Sequence, residues 1–180
     1  LEDGTRLPMS RVLRGVLGPG SEAESAALSG RSFAREVSRR IPTAVAAAGT
    51  TSRAAQEALQ LLFRPYFRVY TNPDLLGVEL GGAVKNVMAI AAGASDGLGF
   101  GHSSRAALIT RGLAEMPRLG VKLGADPQSC FGLAGMGDLI LTCTGDLSRN
   151  RSVGLELGRG ETLSHILGRM KMVAEGVQTT

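Results

Sequence analysis

The stretch ELGGAVKNVMAI, residues 79–90, places one lysine among small and apolar residues. A helix that is apolar on almost every face is usually a buried one, so Lys85 is predicted to lie inside the protein. An unpaired ammonium group is costly to bury. Gly81 and Gly82 each cost a helix about 1 kcal/mol relative to Ala, and they would let a ligand or another backbone approach closely. The residues alone leave two interpretations open: a functional lysine, or one whose long stem carries its charge to the surface.

The chain before this helix has a different character from the chain after it. PTAVAAAG (42–49) and FRVYT (67–71) are typical of short strands, and SRAAQEALQLLF (52–63) between them is typical of a helix with one apolar face. This order predicts part of a βαβ sheet. SAALSG (25–30) leads into a turn centred on Gly30, and SFAREVSRR (32–40) predicts one or two helical turns.

From NPDLLG onward the strand signals stop, so the boundary is placed near Asn72-Pro73. Asp126-Pro127 has the pattern of a helix N-cap followed by proline at the first helical position. Pro117 is predicted to kink or end the helix that contains it. Helices are predicted over 76–94, 104–123, 127–134, 149–158 and 162–170.

The composition disfavours several classes of protein. The only two cysteines, Cys130 and Cys143, do not have the spacing of metal ligands, and there are only two histidines. This composition disfavours a zinc site and a disulfide scaffold, and it predicts a reducing compartment. The net charge is +4, but the 17 arginines are scattered and aromatic residues make up only 4%, which disfavours nucleic-acid binding. The most apolar stretch contains Glu79 and Lys85, so no transmembrane helix is predicted.

Two other segments carry candidate site residues. In GLAGMGDLILTCTGDLSRNR (132–151) the glycines do not have the spacing of a dinucleotide fingerprint and no strand precedes them. Asp138 in this segment is either a helix cap or a ligand-binding carboxylate. Ser148 is a candidate N-cap, and a helix start with Arg149 beside it can bind an anion such as phosphate; an ordinary solvated helix start is the alternative. Gly30 and Ser32 form a weaker candidate turn.

Four segments, in order and across nearly the whole chain, resemble the bacterial type of NAD(P)-dependent glycerol-3-phosphate dehydrogenase. They are NPDLLGVELGGAVKNVMAIAAGASDGLGFG (72–101), ALITRGLAEM (107–116), GLAGMGDLILTCTGDLSRNR (132–151) and VAEG (173–176). The resemblance implies a mainly α protein, with a helical substrate domain of the 6-phosphogluconate-dehydrogenase-like C-terminal type. Residues 1–75 would be the end of an incomplete α/β Rossmann domain, and residues 76–180 the helical domain. It also implies that a nucleotide-binding region precedes Leu1 and further helices follow Thr180 in a complete member.

The resemblance also implies roles for individual residues. Lys85 would be the catalytic acid/base, and it would contact substrate together with Gly30, Ser32, Asp138, Ser148, Arg149 and Asn150. Ala34, Arg149, Val173 and Glu175 would contact the cofactor. Arg31 stands where the family usually has proline, which puts the shape of that turn in question, and Pro117 replaces a common helix-compatible residue.

The activity so implied is the reversible NAD- or NADP-dependent interconversion of dihydroxyacetone phosphate and sn-glycerol 3-phosphate, which supplies glycerophospholipid synthesis. The implied protein is a cytoplasmic homodimer that uses no metal, binds a small phosphate-bearing substrate and has no nucleic-acid partner or membrane insertion. The residue that discriminates NAD from NADP would lie in the nucleotide-binding region that precedes Leu1 in a complete member. Two alternatives stay open: a helical dimerisation or interaction module, and a related hydroxyacid dehydrogenase.

Overall fold

The computed structural model describes residues 1–18, 21, 23–170 and 172–180. The helices are α1 Met9–Leu17, α2 Ala34–Ser38, α3 Ser52–Leu62, α4 Leu75–Gly97, α5 Gly101–Leu123, α6 Asp138–Thr144, α7 Arg149–Gly158, α8 Leu163–Arg169 and α9 Gly176–Thr179. The strands are β1 Ala26–Arg31, β2 Thr43–Gly49 and β3 Phe67–Asn72. A 3₁₀ turn at Pro127–Phe131 and a π turn at Leu133–Gly137 lead into α6. The mainly helical fold class with a small preceding sheet is confirmed.

The sheet contains the predicted βαβ unit. β2 and β3 are parallel, and α3 connects them. One face of the sheet buries Val45, Ala47 and Val69 against α3. Thr51 caps α3 by accepting a hydrogen bond from the Ala54 N–H at 3.1 Å, which satisfies one free amide of the first turn.

A strand that the sequence interpretation missed forms the third member of this sheet. β1 pairs antiparallel with β2, and Gly30 lies opposite Val45. Gly30 has φ +144°, and a β-carbon there would lie 2.9 Å from the Val45 Cα. Only glycine suits this position, so the residue read as the centre of a turn instead lets the strand end close against β2.

Helix α4 lies at the centre of the molecule. One side covers the sheet through Val78, which packs with Ala46 and Ala48. Another side packs on α5 and α6, where Ala89 and Ala92 meet Met116 and Leu139. Among the described residues, α4 is the one helix that is long enough and apolar enough to cross a membrane. The core helix of a soluble protein meets the same criteria. Its burial on several sides explains why nearly all of its faces are apolar.

Helix α7 packs unusually closely on α4. A β-carbon added to Gly93 of α4 would overlap the Arg151 carbonyl, and one added to Gly154 of α7 would overlap the Ile90 carbonyl. Small residues on both helices therefore bring the two backbones into contact. This packing fixes the start of α7 relative to α4.

Several predicted helix boundaries were wrong. Helix α5 begins at Gly101 rather than at residue 104 and ends at Leu123 as predicted. It continues through Pro117, so the prediction that this proline ends the helix is wrong. Proline costs the helix one backbone hydrogen bond, and the burial of Met116 and Gly120 on either side of it offsets that cost. The predicted helix 127–134 is instead a 3₁₀ turn that ends at the extended Gly132. The sequence interpretation also missed α1, α6 and α9, which are short or amphipathic without strong caps. The division into domains at residue 75 stays a prediction.

Candidate active site

Most of the predicted site residues line one cavity of about 390 Å³ between β1, α4, α6 and α7. Lys85 comes from α4, Asp138 from α6, and Arg149 from the first turn of α7. The other residues that line the cavity are Leu28, Ser29, Gly30, Ser32, Phe33, Gly82, Asn86, Leu141, Thr142, Leu147, Ser148, Asn150 and Glu175.

Lys85 faces a carboxylate. Its Nζ donates a hydrogen bond to Asp138 Oδ2, and the two side chains are 20% and 4% exposed. The Lys85 side chain therefore points into the cavity rather than snorkelling to bulk solvent. A buried charge pair of this kind is retained at a cost in desolvation, so stability alone does not account for it.

Asp138 is held by several hydrogen bonds. Lys85 donates to its Oδ2, and the Thr142 hydroxyl lies 3.3 Å from its Oδ1 and 2.6 Å from its backbone carbonyl. Burial raises the pKa of Asp138 above its ordinary value, and the charge of Lys85 and the hydrogen bonds only partly offset this effect. Asp138 does not occupy the N-cap position of α6, which is Gly137, and within the described part of the chain that position has no side-chain cap hydrogen bond. The interpretation of Asp138 as a helix cap is therefore wrong.

The start of α7 has the predicted N-cap. The Ser148 hydroxyl accepts a hydrogen bond from the Arg151 N–H at 3.2 Å. The Arg149 guanidinium is 38% exposed and lies at the cavity, where it donates to Glu175 Oε1 at 2.7 Å. A helix N-terminus with an accessible guanidinium can bind an anion that competes with Glu175.

The Asn150 side chain is buried and binds other protein groups. Its Nδ2 donates to Asn86 Oδ1 at 3.1 Å, and its Oδ1 accepts from the Gly176 N–H at 2.8 Å. These bonds join α7 to α4 and to α9. Asn150 lines the cavity, but most of its hydrogen-bonding capacity is already used within the protein.

Sequence reasoning found most of this site but not all of it. Asn86 and Thr142 also line the cavity. The signals that could have found them are the position of Asn86 directly after Lys85 and the four-residue spacing of Thr142 from Asp138, which puts both on one helix face. Ala34 and Val173, predicted to contact the cofactor, do not line this cavity, and both are exposed. Their role stays a prediction.

A second cavity of about 470 Å³ adjoins the first, and the residues that line both are Leu28, Ser29, Gly82, Asn86 and Glu175. Lys85 and Arg149 line the first cavity and not the second, whereas Glu175 lines both. The described residues include no group of three or more His, Cys, Asp or Glu side chains that could hold a metal ion.

A buried lysine–carboxylate pair therefore lies beside a helix start with an accessible guanidinium, on helices that follow a mixed three-stranded sheet. Such an arrangement can exchange a proton with a small anionic compound and bind its charge. Residues 74–180 match the family model described as NAD-dependent glycerol-3-phosphate dehydrogenase C-terminus. The chain therefore belongs to the NAD-dependent glycerol-3-phosphate dehydrogenase family.

Comparison with individual proteins agrees with this assignment. Proteins named glycerol-3-phosphate dehydrogenase [NAD(P)+] from Geobacter sp. (strain M21) and Syntrophobacter fumaroxidans are 62% and 57% identical over 180 and 179 residues. These alignments cover 100% and 99% of this chain but 54% and 53% of those proteins, so the chain spans about half the length of the curated relatives it matches.

Solved structures are also similar. The crystal structure of glycerol-3-phosphate dehydrogenase from Coxiella burnetii is 43% identical with a TM-score of 0.93, over 98% of this chain and 53% of that one. The structure of DsGPDH of Dunaliella salina is 28% identical with a TM-score of 0.80, over 86% and 28% of the two chains.

Proposed function

We propose that this chain forms the substrate-binding and proton-transfer part of an enzyme that interconverts dihydroxyacetone phosphate and sn-glycerol 3-phosphate with NAD or NADP. The observation that carries the proposal is the shared cavity, which has the Lys85–Asp138 pair on one side and the Arg149 guanidinium on another. A substrate with a carbonyl group and a phosphate matches these two features. The names of the relatives support the same substrate class.

Lys85 acts as the acid/base in this proposal. During reduction a hydride adds to the carbonyl carbon, and Lys85 Nζ donates a proton to the oxygen, which gives the secondary alcohol. In the reverse direction the amine accepts the hydroxyl proton as the hydride leaves. A positioned acid/base contributes about 10²–10⁴-fold to rate. Asp138 orients the ammonium group through its hydrogen bond and balances its charge.

The first turn of α7 binds the substrate phosphate. Arg149 supplies a forked guanidinium, and the backbone amides near Ser148 lie at the positive end of a helix. Gly30, Ser32 and Asn150 complete the substrate contacts at the edge of β1 and beside Asn86. Glu175 accepts one hydrogen bond from Arg149 NH2 in the free structure, so the phosphate would share the guanidinium with this carboxylate or displace it.

The nicotinamide cofactor supplies the hydride when it is bound. Arg149, Glu175, Ala34 and Val173 would contact it from this chain, and the second cavity, which Glu175 also lines, would take part of it. The division at residue 75 would put the sheet with the nucleotide-binding region and the helices with the substrate. A cytoplasmic homodimer without nucleic-acid or membrane partners, which supplies glycerol 3-phosphate for phospholipid synthesis, completes the proposal.

The test measures turnover by this chain joined to the segments that flank the matching residues in a relative such as the Geobacter protein. Loss of reduced cofactor absorbance with dihydroxyacetone phosphate reports activity. We expect Lys85→Ala to lower kcat by about 10²–10⁴-fold with a smaller change in KM. Arg149→Ala should mainly raise the KM for the phosphate substrate. Lys122→Ala removes an exposed lysine from the last turn of α5 and serves as the matched control.

Three results would contradict the proposal. Near-normal turnover by the Lys85→Ala enzyme across pH would remove the lysine from its role. Equal activity on a hydroxy acid that lacks phosphate, unaffected by Arg149→Ala, would favour a hydroxyacid dehydrogenase. A folded joined protein that dimerises but has no activity with either cofactor would favour an interaction module.

A further inference from the structure

A buried charge cluster lies behind the anion-binding turn, outside the cavity. Asp96, in the last turn of α4, has a side chain only 11% exposed and accepts hydrogen bonds from two arginines. Arg105 NH1 of α5 lies 2.7 Å from Asp96 Oδ2. Arg151 of α7 reaches the same oxygen with NH2 at 2.7 Å and with Nε at 3.2 Å. Asp96 therefore binds Arg151 through a two-pronged contact and Arg105 through a single one.

Arg151 connects this cluster to the turn that carries Arg149. Its backbone N–H donates to the Ser148 hydroxyl, and its NH1 donates to the Asp146 carboxylate at 3.1 Å. The Asp146 side chain is 96% exposed, so that contact adds little. The Asp96 contact is shielded from solvent and is the stronger restraint on the first turn of α7.

The two arginines of this turn have opposite surroundings. Arg151 is 15% exposed and bound to Asp96, whereas Arg149, two residues earlier, is 38% exposed and faces the cavity. Because α4 carries both Asp96 and Lys85, the restraint fixes the Arg149 backbone relative to the lysine. Close glycine packing between α4 and α7 strengthens the same connection.

We propose that Asp96 and Arg151 are positioning residues, which hold the first turn of α7 so that Ser148 and Arg149 bind the substrate phosphate at a fixed distance from Lys85. This inference rests on the proposed function for the identity of the ligand. Displacement of a binding group by about 1 Å can lower rate or affinity as much as about a hundredfold, so a restraint of this kind has measurable value. Neither residue touches the ligand.

The test compares Asp96→Asn with Arg105→Gln in the 180-residue chain, with glycerol 3-phosphate as the probe in calorimetric titration. Asp96→Asn breaks the charged contact to Arg151, whereas Arg105→Gln removes a partner of the same carboxylate on α5 and leaves Arg151 in place. Coulomb's law alone predicts that loss of a negative charge near the site strengthens phosphate binding. The positioning role predicts the reverse.

We expect Asp96→Asn to raise the Kd for glycerol 3-phosphate about tenfold and Arg105→Gln to change it by less than about twofold. Hydrogen exchange of the Arg151 amide, which is bonded to Ser148, should speed up in Asp96→Asn and not in Arg105→Gln. Unchanged or tighter binding in Asp96→Asn, or equal effects of the two substitutions, would overturn the inference.

One further variant and one further measurement cover the cases in which Asp96→Asn does not fold or the chain binds no glycerol 3-phosphate. If Asp96→Asn does not fold, Arg151→Lys keeps the charge but loses the forked contact, and it should weaken binding in the same direction. If the unsubstituted chain binds no glycerol 3-phosphate, the proposed substrate site fails, and the exchange of the Arg151 amide alone decides the positioning inference. Equal protection in both variants would then overturn it.

Discussion

Arg149 and Glu175 form an exposed ion pair at the point where the proposed substrate phosphate binds. The two side chains are 38% and 50% exposed, and their atoms lie 2.7 Å apart. A pair this exposed contributes less than about 1 kcal/mol, so a phosphate with two negative charges can displace it. The carboxylate nevertheless competes with and repels an incoming anion.

We therefore expect Glu175→Gln to strengthen binding of glycerol 3-phosphate by the free chain about two- to fivefold at low ionic strength. Calorimetric titration without cofactor measures the effect. Glu57→Gln, which removes the same charge from the exposed face of α3, is the control and should leave the affinity unchanged. Weaker binding in Glu175→Gln would mean that this carboxylate supports the ligand site rather than opposing it.

Single residues also show how far sequence reasoning reaches. The burial of Lys85 could be predicted because its neighbours along the chain are small or apolar. Its partner could not, because Asp138 is 53 residues away and only the packing of α6 on α4 brings them together. Ser148 was found as an N-cap because capping is local chemistry. Asn86 was missed because nothing local shows that its amide meets Asn150.

At the scale of elements, the contact between α4 and α7 depends on glycine. Gly154→Ala would put a methyl group into the Ile90 carbonyl, and we expect it to lower the free energy of unfolding by about 1–3 kcal/mol. Gly168→Ala is the matched control, because the same change in α8 meets no atom within 4 Å. It should raise stability by about 0.5 kcal/mol. Urea unfolding measures the stability of both variants, and equal effects would show that the contact between α4 and α7 is not tightly packed.

The Asp96 cluster that joins α4, α5 and α7 predicts a pH dependence. Burial raises the pKa of Asp96, but the hydrogen bonds and charges of Arg151 and Arg105 together outweigh it, so the pKa lies below its ordinary value of 3.8. A carboxyl group with a lowered pKa stabilises the fold fully above its unfolded value, and this stabilisation is lost as the pH falls through the folded value.

Asp96→Asn should therefore lower the free energy of unfolding by about 3 kcal/mol near neutral pH. The difference from the unsubstituted chain should shrink as the pH falls below 3.8. Chemical unfolding at neutral pH, at 3.8 and about one unit lower measures it. A difference that stays constant over this range would show that the ion pairs are not its source.

The elements themselves differ in how well the sequence predicts them. The strand–helix–strand order of β2, α3 and β3 was predicted correctly because alternation, caps and apolar stripes agree there. β1 was missed because its small residues carry no strand preference, and its pairing with β2 is non-local. α6 was missed because seven mostly apolar residues do not distinguish a buried helix from a buried strand.

At the scale of the whole molecule, the chain holds the described cavity with Lys85, Asp138 and the start of α7, yet spans about half the length of its relatives. Lys85 and Arg149, the residues proposed for proton transfer and phosphate binding, lie on helices that pack on one another, so we expect ligand binding not to need the rest of a relative's length. Hydride transfer also requires a nicotinamide held against the substrate carbon, and the proposal assigns only Ala34, Arg149, Val173 and Glu175 of this chain to the cofactor.

We therefore expect the 180-residue chain alone to bind glycerol 3-phosphate weakly and to show no turnover with dihydroxyacetone phosphate and reduced cofactor. Binding should weaken as potassium chloride rises, because Arg149 is partly exposed and salt screens exposed charges. Glycerol, which lacks the phosphate, is the control ligand and should not bind measurably.

Titration at two salt concentrations and an absorbance assay on the same purified sample test both parts of this prediction. Turnover by the chain alone would show that it carries its own cofactor site, and salt-independent binding would show that the ligand is held by groups other than the start of α7.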